Sequence, residues 1–412
     1  MRTSDLERGI LLGVILAGIL LRFVYPTFIE FKGDELNALV LAIRQFKDGL
    51  AFSGIMSSVG IPNPPMFTWL LILLVAFSHH PVWVTEWVMA ANVVGIVLLF
   101  LWIKKMMGGV AGLRAAALLA ASPWAILYSR KIWQQDLLIP FLIAFCWLLF
   151  SQWQHPRAWK LVAASFMFTV ALQLHMSVLF AVPGFIVAIA ALRPHVRLRQ
   201  VLLVSIPFIA LYVPYVLHGS LAGLSHVQSA AGGVSYWLLW LFKIPVGLGF
   251  TYVLGEEGFR AFSTLYPVWL FSGIFCIGAL LVGGACIETL WYVLRTLRVG
   301  RISAFADWCS LLCVLSIVSV LCGYALFDIA VYPHYFIILV PFLFLLPVLS
   351  LERVAGLAPM VARVVRIVLV LLLVSQILFM MLFFQFVVHH HDQITGDYGV
   401  PFHFQDIKWL PK

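Results

Sequence analysis

Long apolar runs recur along this chain, separated by short polar stretches, at residues 10–23, 82–103, 110–127, 134–151, 158–175, 176–192, 200–217, 265–294, 304–327, 335–351 and 365–388. A helix of roughly 20 such residues crosses a hydrocarbon core of about 30 Å, so the pattern predicts an all-α polytopic membrane protein of about 11 transmembrane helices. Two further apolar stretches, 66–78 and 236–254, are too short or too broken by Pro and Gly to count, and read as re-entrant or interfacial. After the first run the period changes. From Gly33 onward, Leu36, Leu39, Val40, Ile43 and Phe46 recur at helical spacing, with Asn37, Arg44, Gln45 and Lys47 off that stripe. This predicts an amphipathic juxtamembrane helix lying on the membrane surface.

Charge orients the pattern. Lys and Arg collect in alternate loops: Arg2 and Arg8; Lys104, Lys105 and Arg114; Arg157 and Lys160; Arg193, Arg197 and Arg199; Arg295, Arg298 and Arg301; Arg353, Arg363 and Arg366. Placing those loops in the cytoplasm gives an N-in, C-out chain whose carboxylates lie mostly outside. The start, "MRTSDLERG", leads into the first run with no small-residue cleavage site, as expected of an uncleaved signal anchor. One module, 1–388, is expected, with outer segments at 26–65 and 218–264 and a short extracytoplasmic tail at 389–412.

Composition agrees: 63% of residues are hydrophobic and only 10% charged, which excludes the soluble classes. The net charge of +9 follows from topology and contact with anionic membrane lipids, and implies no nucleic-acid partner. All six cysteines fall within predicted spans, so no disulfide framework is expected in the outer loops. The glycine pairs Gly108–Gly109 and Gly232–Gly233 lack the strand-to-helix setting of a phosphate loop.

Candidate chemistry concentrates in the outer segments. Glu30, Asp34 and Glu35 crowd three carboxylates beside the first span. Asp34, at the start of the amphipathic helix, suits an N-cap, and equally a general base, a cation ligand or a proton relay at a cavity mouth. Asn63, Pro64 and Pro65 form a rigid turn before an aromatic-rich half-helix. "SPWAILYSRKIWQQDLL" gathers Tyr128, Arg130, Lys131 and Asp136 at the outer end of two spans, either as an anion site or as an interfacial anchor with Trp124 and Trp133. Arg22 and, in "VYPHY", His334 and Tyr335 lie at the same level. The tail holds His389, His390, His391 and His403 with three aspartates, a set from which a divalent metal site could be built. Its spacing fits better a cap over the site, with Phe402, Phe404 and Trp409 packing down.

These elements, in this order, resemble the polytopic glycosyltransferases of the C-type superfamily, in particular bacterial relatives of protein O-mannosyltransferases and lipid A aminoarabinose transferases. The acidic pair Asp34–Glu35, the Pro64–Pro65 turn, the inner turn "KKMMGGVAGLRAAALLAASP" and the "YSR" followed by Asp136 carry the resemblance, densest over residues 15–195. It implies inverting transfer of a sugar from a polyprenyl-phosphate donor to a lipid, glycan or protein hydroxyl at the outer face of the cytoplasmic membrane. Asp34 would be the base. Glu35 would orient the acceptor or balance charge. Arg22, Arg130, Lys131 and His334 would face the donor phosphate, Tyr128 and Tyr335 the sugar. Asn63 stands where many relatives carry a basic residue. A transporter or lipid flippase, or a non-catalytic assembly subunit, is the alternative, although no repeated half-sequence of the transporter kind is visible.

Overall fold

The structure, a computed structural model, describes residues 3–57, 61–191, 198–218, 234–299, 304–327 and 331–406. Gly232, Gly233, Trp409 and part of the 218–264 segment lie outside the described residues. Within them the chain forms α1 (Thr3–Phe23), α2 (Gly33–Asp48), α3 (Met66–Val75), α4 (Pro81–Met107), α5 (Gly109–Ala121), α6 (Pro123–Tyr128), α7 (Leu138–Gln154), α8 (Ala158–Leu174), α9 (Val178–Ala191) and α10 (Leu198–Leu217). Then follow α11 (Val234–Val246), α12 (Thr251–Leu265), α13 (Val268–Val299), α14 (Phe305–Leu326), α15 (Val340–Leu357) and α16 (Pro359–His389). The all-α architecture expected from the apolar pattern is the one observed.

Among the described residues, seven helical segments are long and apolar enough to cross a membrane, or eight if α11 and α12, bent by 63°, make one broken span. The expected count of eleven is therefore not established. A helix sits at each predicted span, but α5, α8 and α9 have only 13, 17 and 14 residues, below the roughly 20 that a crossing needs. The first turns of α1 carry Asp5, Glu7 and Arg8. α3, with 10 residues, is about 15 Å long and cannot cross alone. Leu280, Trp269 and Leu202 are exposed on helix flanks, as side chains facing lipid would be. At the centre stands α15 with the 3-10 turn Pro333–Leu339 that precedes it, 89% buried over its apolar window.

The predicted span 110–127 is broken in two, and the sequence explains the break. Pro123 has no N–H to give Leu119, and Ser122 caps the new helix α6 by accepting the Ala125 N–H at 3.4 Å. The carbonyls freed at the end of α5 are taken by Arg22, whose Nη2 donates to Leu119 O at 3.1 Å and whose Nη1 donates to Ala120 O at 2.8 Å. That reach requires Gly18, because a Cβ there would collide with the carbonyl of Ala120. The α1–α5 contact is thus written in Gly18 and Arg22, one turn apart on α1, and in the Pro123 break about 100 residues later.

At the opposite end of the bundle, Arg114 on α5 donates to Glu7 of α1 at 2.7 and 2.9 Å and to Glu352 of α15 at 2.6 Å. Beside it, Arg353 forms a two-pronged pair with Glu288 at 2.6 and 2.7 Å and reaches Ser310 and Thr289. Asp307 caps α14 through the Ala304 N–H and accepts from Tyr292. Cys309 and Cys313 are fully buried in α14 among apolar neighbours. These polar groups lock five helices together.

Candidate active site

Lys32 is the N-cap of α2, so the helix begins one residue earlier than Asp34 and Asp34 is not its cap. The cap bond comes from Glu35, whose Oε2 accepts the Lys32 N–H at 2.9 Å. Successive helix residues point about 100° apart. Glu35 consequently lies on the buried face with Ala38, Leu39, Ala42 and Ile43, while Asp34 is exposed. The buried face is rotated from the expected stripe: Phe46 is exposed and Gln45 is buried. Asp34 borders an open pocket of about 430 Å³ with Asn37, Val40, Leu41, Arg44, Ile55 and Met56.

At the start of α2, around its cap residue Lys32, the charges cluster. Glu30 is 3% exposed, and its carboxylate lies 2.6 Å from Lys32 Nζ and 3.3 Å from Lys131 Nζ. Lys131 is enclosed over the rings of Trp133, 3.8 Å from the centroid, and Tyr128, 4.9 Å. His334 packs on the same Trp133 ring and against Tyr335. Burial, reinforced by the charge of Glu30, raises the Glu35 carboxyl to about 7. Burial disfavours the charge on Lys32, but the carboxylates of Glu30 and Asp397 outweigh it and hold the ammonium above its ordinary range. Asp136, on the 3-10 turn Gln134–Leu137, is buried with neither carboxylate oxygen hydrogen-bonded to a described residue, beside a small cavity of about 10 Å³ shared with Asn92, Trp124 and Tyr128. That volume is about that of one water.

Three expected residues are engaged elsewhere. Arg22 caps the end of α5. Arg130 caps α1, donating from Nη1 to the carbonyls of Leu21, Arg22 and Val24 and from Nη2 to that of Tyr25, with its guanidinium on the Phe384 ring. Asn63 donates to Ile55 O at 3.0 Å and closes a local turn that borders the Asp34 pocket.

The tail packs over this end as a strap. It pairs with the first loop through Phe402 N–H to Ile29 O, His403 N–H to Thr27 O and Tyr398 OH to Phe28 O. It pairs with α12 through Thr395, Asp397 and Tyr398 N–H to Leu254, Tyr252 and Val253 O. The crossing is made at Gly255, where φ is 78° and a Cβ would strike Thr395 and Gly396. Asp397 reaches Lys32 with its carboxylate at 3.2 Å and with its carbonyl. Phe402 packs on Phe31 and Phe404 on Phe28. The histidines do not converge: His390 stacks on Phe386, His391 on Phe404 and His403 on Phe28. Among the described residues no group of three or more His, Cys, Asp or Glu is placed to hold a metal ion.

The sequence pattern singled out Glu30 only as a third carboxylate, and passed over Lys32, Trp133 and Asp397 as site groups. In an extended segment, residues two apart share a side, so Glu30 and Lys32 formed a readable pair. Nothing local marks Asp397.

Residues 62–218 match the family model described as dolichyl-phosphate-mannose-protein mannosyltransferase. No curated protein matches the chain in sequence. Among solved structures, ArnT from Cupriavidus metallidurans bound to undecaprenyl phosphate is similar over 91% of this chain and 76% of its own, at 14% identity and a TM-score of 0.59. Its apo state matches over 94% and 78%, with the same identity and score. The Archaeoglobus fulgidus oligosaccharyltransferase in complex with Zn and sulfate matches over 89% of this chain and 53% of its own, at 13% identity and a TM-score of 0.52. The resemblance read from the acidic pair, the Pro-Pro turn and the Tyr-Ser-Arg stretch is upheld: this chain has the fold of the C-type membrane glycosyltransferases and, over residues 62–218, matches a mannosyltransferase family in sequence.

Proposed function

We propose that this chain transfers a monosaccharide from a polyprenyl-phosphate donor to an acceptor hydroxyl at the outer face of the cytoplasmic membrane, with inversion at the anomeric carbon. The observation that carries the reading is the division of the acidic pair across α2: Asp34 faces an open pocket, and Glu35 is buried against the Glu30–Lys131 cluster. Asp34 takes the proton of the acceptor hydroxyl as its oxygen bonds to the anomeric carbon. The bond from that carbon to the phosphate oxygen breaks, and polyprenyl phosphate leaves. Glu35, buried and joined to the helix start, fixes the position of Asp34. Tyr128, Asp136, His334 and Tyr335 form the wall behind the lysine cluster, and Asn63 shapes the rim.

ArnT, whose fold this is, was solved bound to undecaprenyl phosphate, which supports a lipid phosphate as partner. An apolar groove of about 980 Å³ among α7, α8, α9 and α10, lined by Phe145, Phe168, Phe185, Val204 and Phe208, suits the distal part of a long lipid tail. The alternative of a transporter draws no support from the acids within the helices, since Glu288 is paired with Arg353 and Asp307 is held by Tyr292 and the α14 cap.

The test supplies purified protein in nanodiscs with a panel of polyprenyl-phosphate sugars and membrane extract, and compares wild type with Asp34→Asn for released polyprenyl phosphate. Acceptor-dependent release by wild type that is lost in the folded variant is expected. Equal release by both removes Asp34 from the chemistry, and no release across the panel returns the chain to the transport class.

A further inference from the structure

A donor phosphate needs a cation within reach, and the buried cations at this end of the bundle are committed. Arg22 and Arg130 donate to backbone carbonyls at two helix ends, and Lys131 is closed in by Glu30, Tyr128 and Trp133. Lys32 differs from them. Its side chain is 38% exposed, it precedes the acidic pair by two residues, and its ammonium is held by the Asp397 carbonyl and by two carboxylates of unequal standing. Glu30 is 3% exposed and backed by Lys131, whereas Asp397 is 35% exposed and rides on the strap. We propose that Lys32 binds the phosphate of the lipid-linked donor, and that the Asp397 carboxylate occupies this position until the phosphate displaces it. The inference rests on the polyprenyl-phosphate donor proposed above.

Asp397 can leave without unfolding the strap. The backbone N–H groups of Asp397 and Tyr398 bond to Tyr252 and Val253, and the Tyr398 hydroxyl to Phe28, so the side chain can rotate while its backbone stays. Glu30 and the Asp397 carbonyl remain and keep the Lys32 ammonium in place, so the phosphate takes over only the position of the carboxylate. Gly399, at φ 65°, runs over the Lys32 stem, where a Cβ would lie 3.5 Å from Cδ. The exchange is of one oxyanion for another. It favours the reaction because the phosphodiester carries one negative charge and the departing monoester nearly two, so the attraction to Lys32 strengthens as the bond breaks.

The experiment measures binding of a short-chain polyprenyl phosphate, and its release in turnover, with the full chain in nanodiscs as wild type, Lys32→Gln, Lys32→Arg and Asp397→Asn. Expected is a roughly 10- to 100-fold weaker affinity for Lys32→Gln, the scale of one charge-assisted hydrogen bond, with Lys32→Arg close to wild type. Asp397→Asn should bind several-fold more tightly and show a lower KM, a gain that misfolding cannot produce. Lys32→Gln binding as tightly as wild type, or Asp397→Asn showing no gain, overturns the proposal. If wild type binds no polyprenyl phosphate, the donor class itself is wrong; if wild type binds and turns over while Lys32→Gln equals it, only the Lys32 assignment falls.

Discussion

The two ends of this helix bundle both concentrate charge, and they use it differently. At the Arg114 end each guanidinium meets carboxylates through paired bonds of 2.6–2.9 Å that join helices α1, α5, α13 and α15. At the Lys131 end the Glu30–Lys131 contact is 3.3 Å, the Asp136 carboxylate has no hydrogen-bond partner among the described residues, and Lys32 is shared and half open. A satisfied network rigidifies, whereas an unsatisfied one retains interaction energy that a ligand can use. The first end is therefore a clamp, and the second is the end where the proposed site lies.

The largest effect that sharpens this contrast is on rate. Asp34→Asn should lower acceptor-dependent release of polyprenyl phosphate by about 100- to 10,000-fold, the usual worth of a general base. Because Asp34 is exposed and makes no bond in the cap, the unfolding temperature should stay within error of wild type. Arg114→Ala should do the reverse. It leaves Glu7 and Glu352 without their partner and should cost about 3–5 kcal/mol of stability, with activity per folded molecule preserved. Thermal unfolding beside turnover separates the two. A large rate loss in Arg114→Ala at full folding would break the division.

How much of this was legible in sequence depends on how local each determinant is. The helices follow from apolar runs, and the Ser122–Pro123 break follows from a missing N–H and a hydroxyl cap, both readable though read as one span. The acidic pair was legible as a pair. Its division across α2 was obscured because the cap is Lys32, a residue with no capping preference, and Glu35 supplies the bond instead. Arg22 and Arg130 looked like phosphate cations because sequence shows charge without showing which carbonyls lie nearby. Lys131 and Glu30 are 101 residues apart, and Lys32 and Asp397 are 365 apart. No periodicity encodes such pairs.

A smaller effect concerns pH. Glu35 titrates near 7 in the folded chain against 4.5 for the free carboxyl. The folded state therefore holds a proton that the unfolded state has lost between those values, so the contribution of Glu35 to stability falls as pH rises from about 4.5 to 7 and is level above. Glu35→Gln, which copies the neutral acid, should flatten that slope and be more stable than wild type at pH 8, by on the order of 3 kcal/mol at most. Denaturant midpoints at pH 5 and 8 measure it. A wild-type midpoint that rises over this interval would mean that Glu35 is charged in the folded state and that its face of α2 is wetter than its burial indicates.

The smallest effect tests whether the strap belongs to the site or to the clamp. Tyr398 is buried, and its hydroxyl donates to Phe28 O at 2.6 Å, one of several bonds between tail and first loop. Tyr398→Phe removes that bond, keeps the ring on Phe383, and should cost about 1 kcal/mol. Were the strap part of a rigid clamp, this loss would appear as a lower global unfolding temperature. In a strap that belongs to the site it appears locally, as faster amide exchange at Asp397, Tyr398 and Phe402 with α15 unchanged, because backbone bonds to α12 and the first loop can open without the bundle. Easier opening frees Lys32 more often, so polyprenyl phosphate should bind slightly more tightly to Tyr398→Phe, in the same direction as to Asp397→Asn and by less.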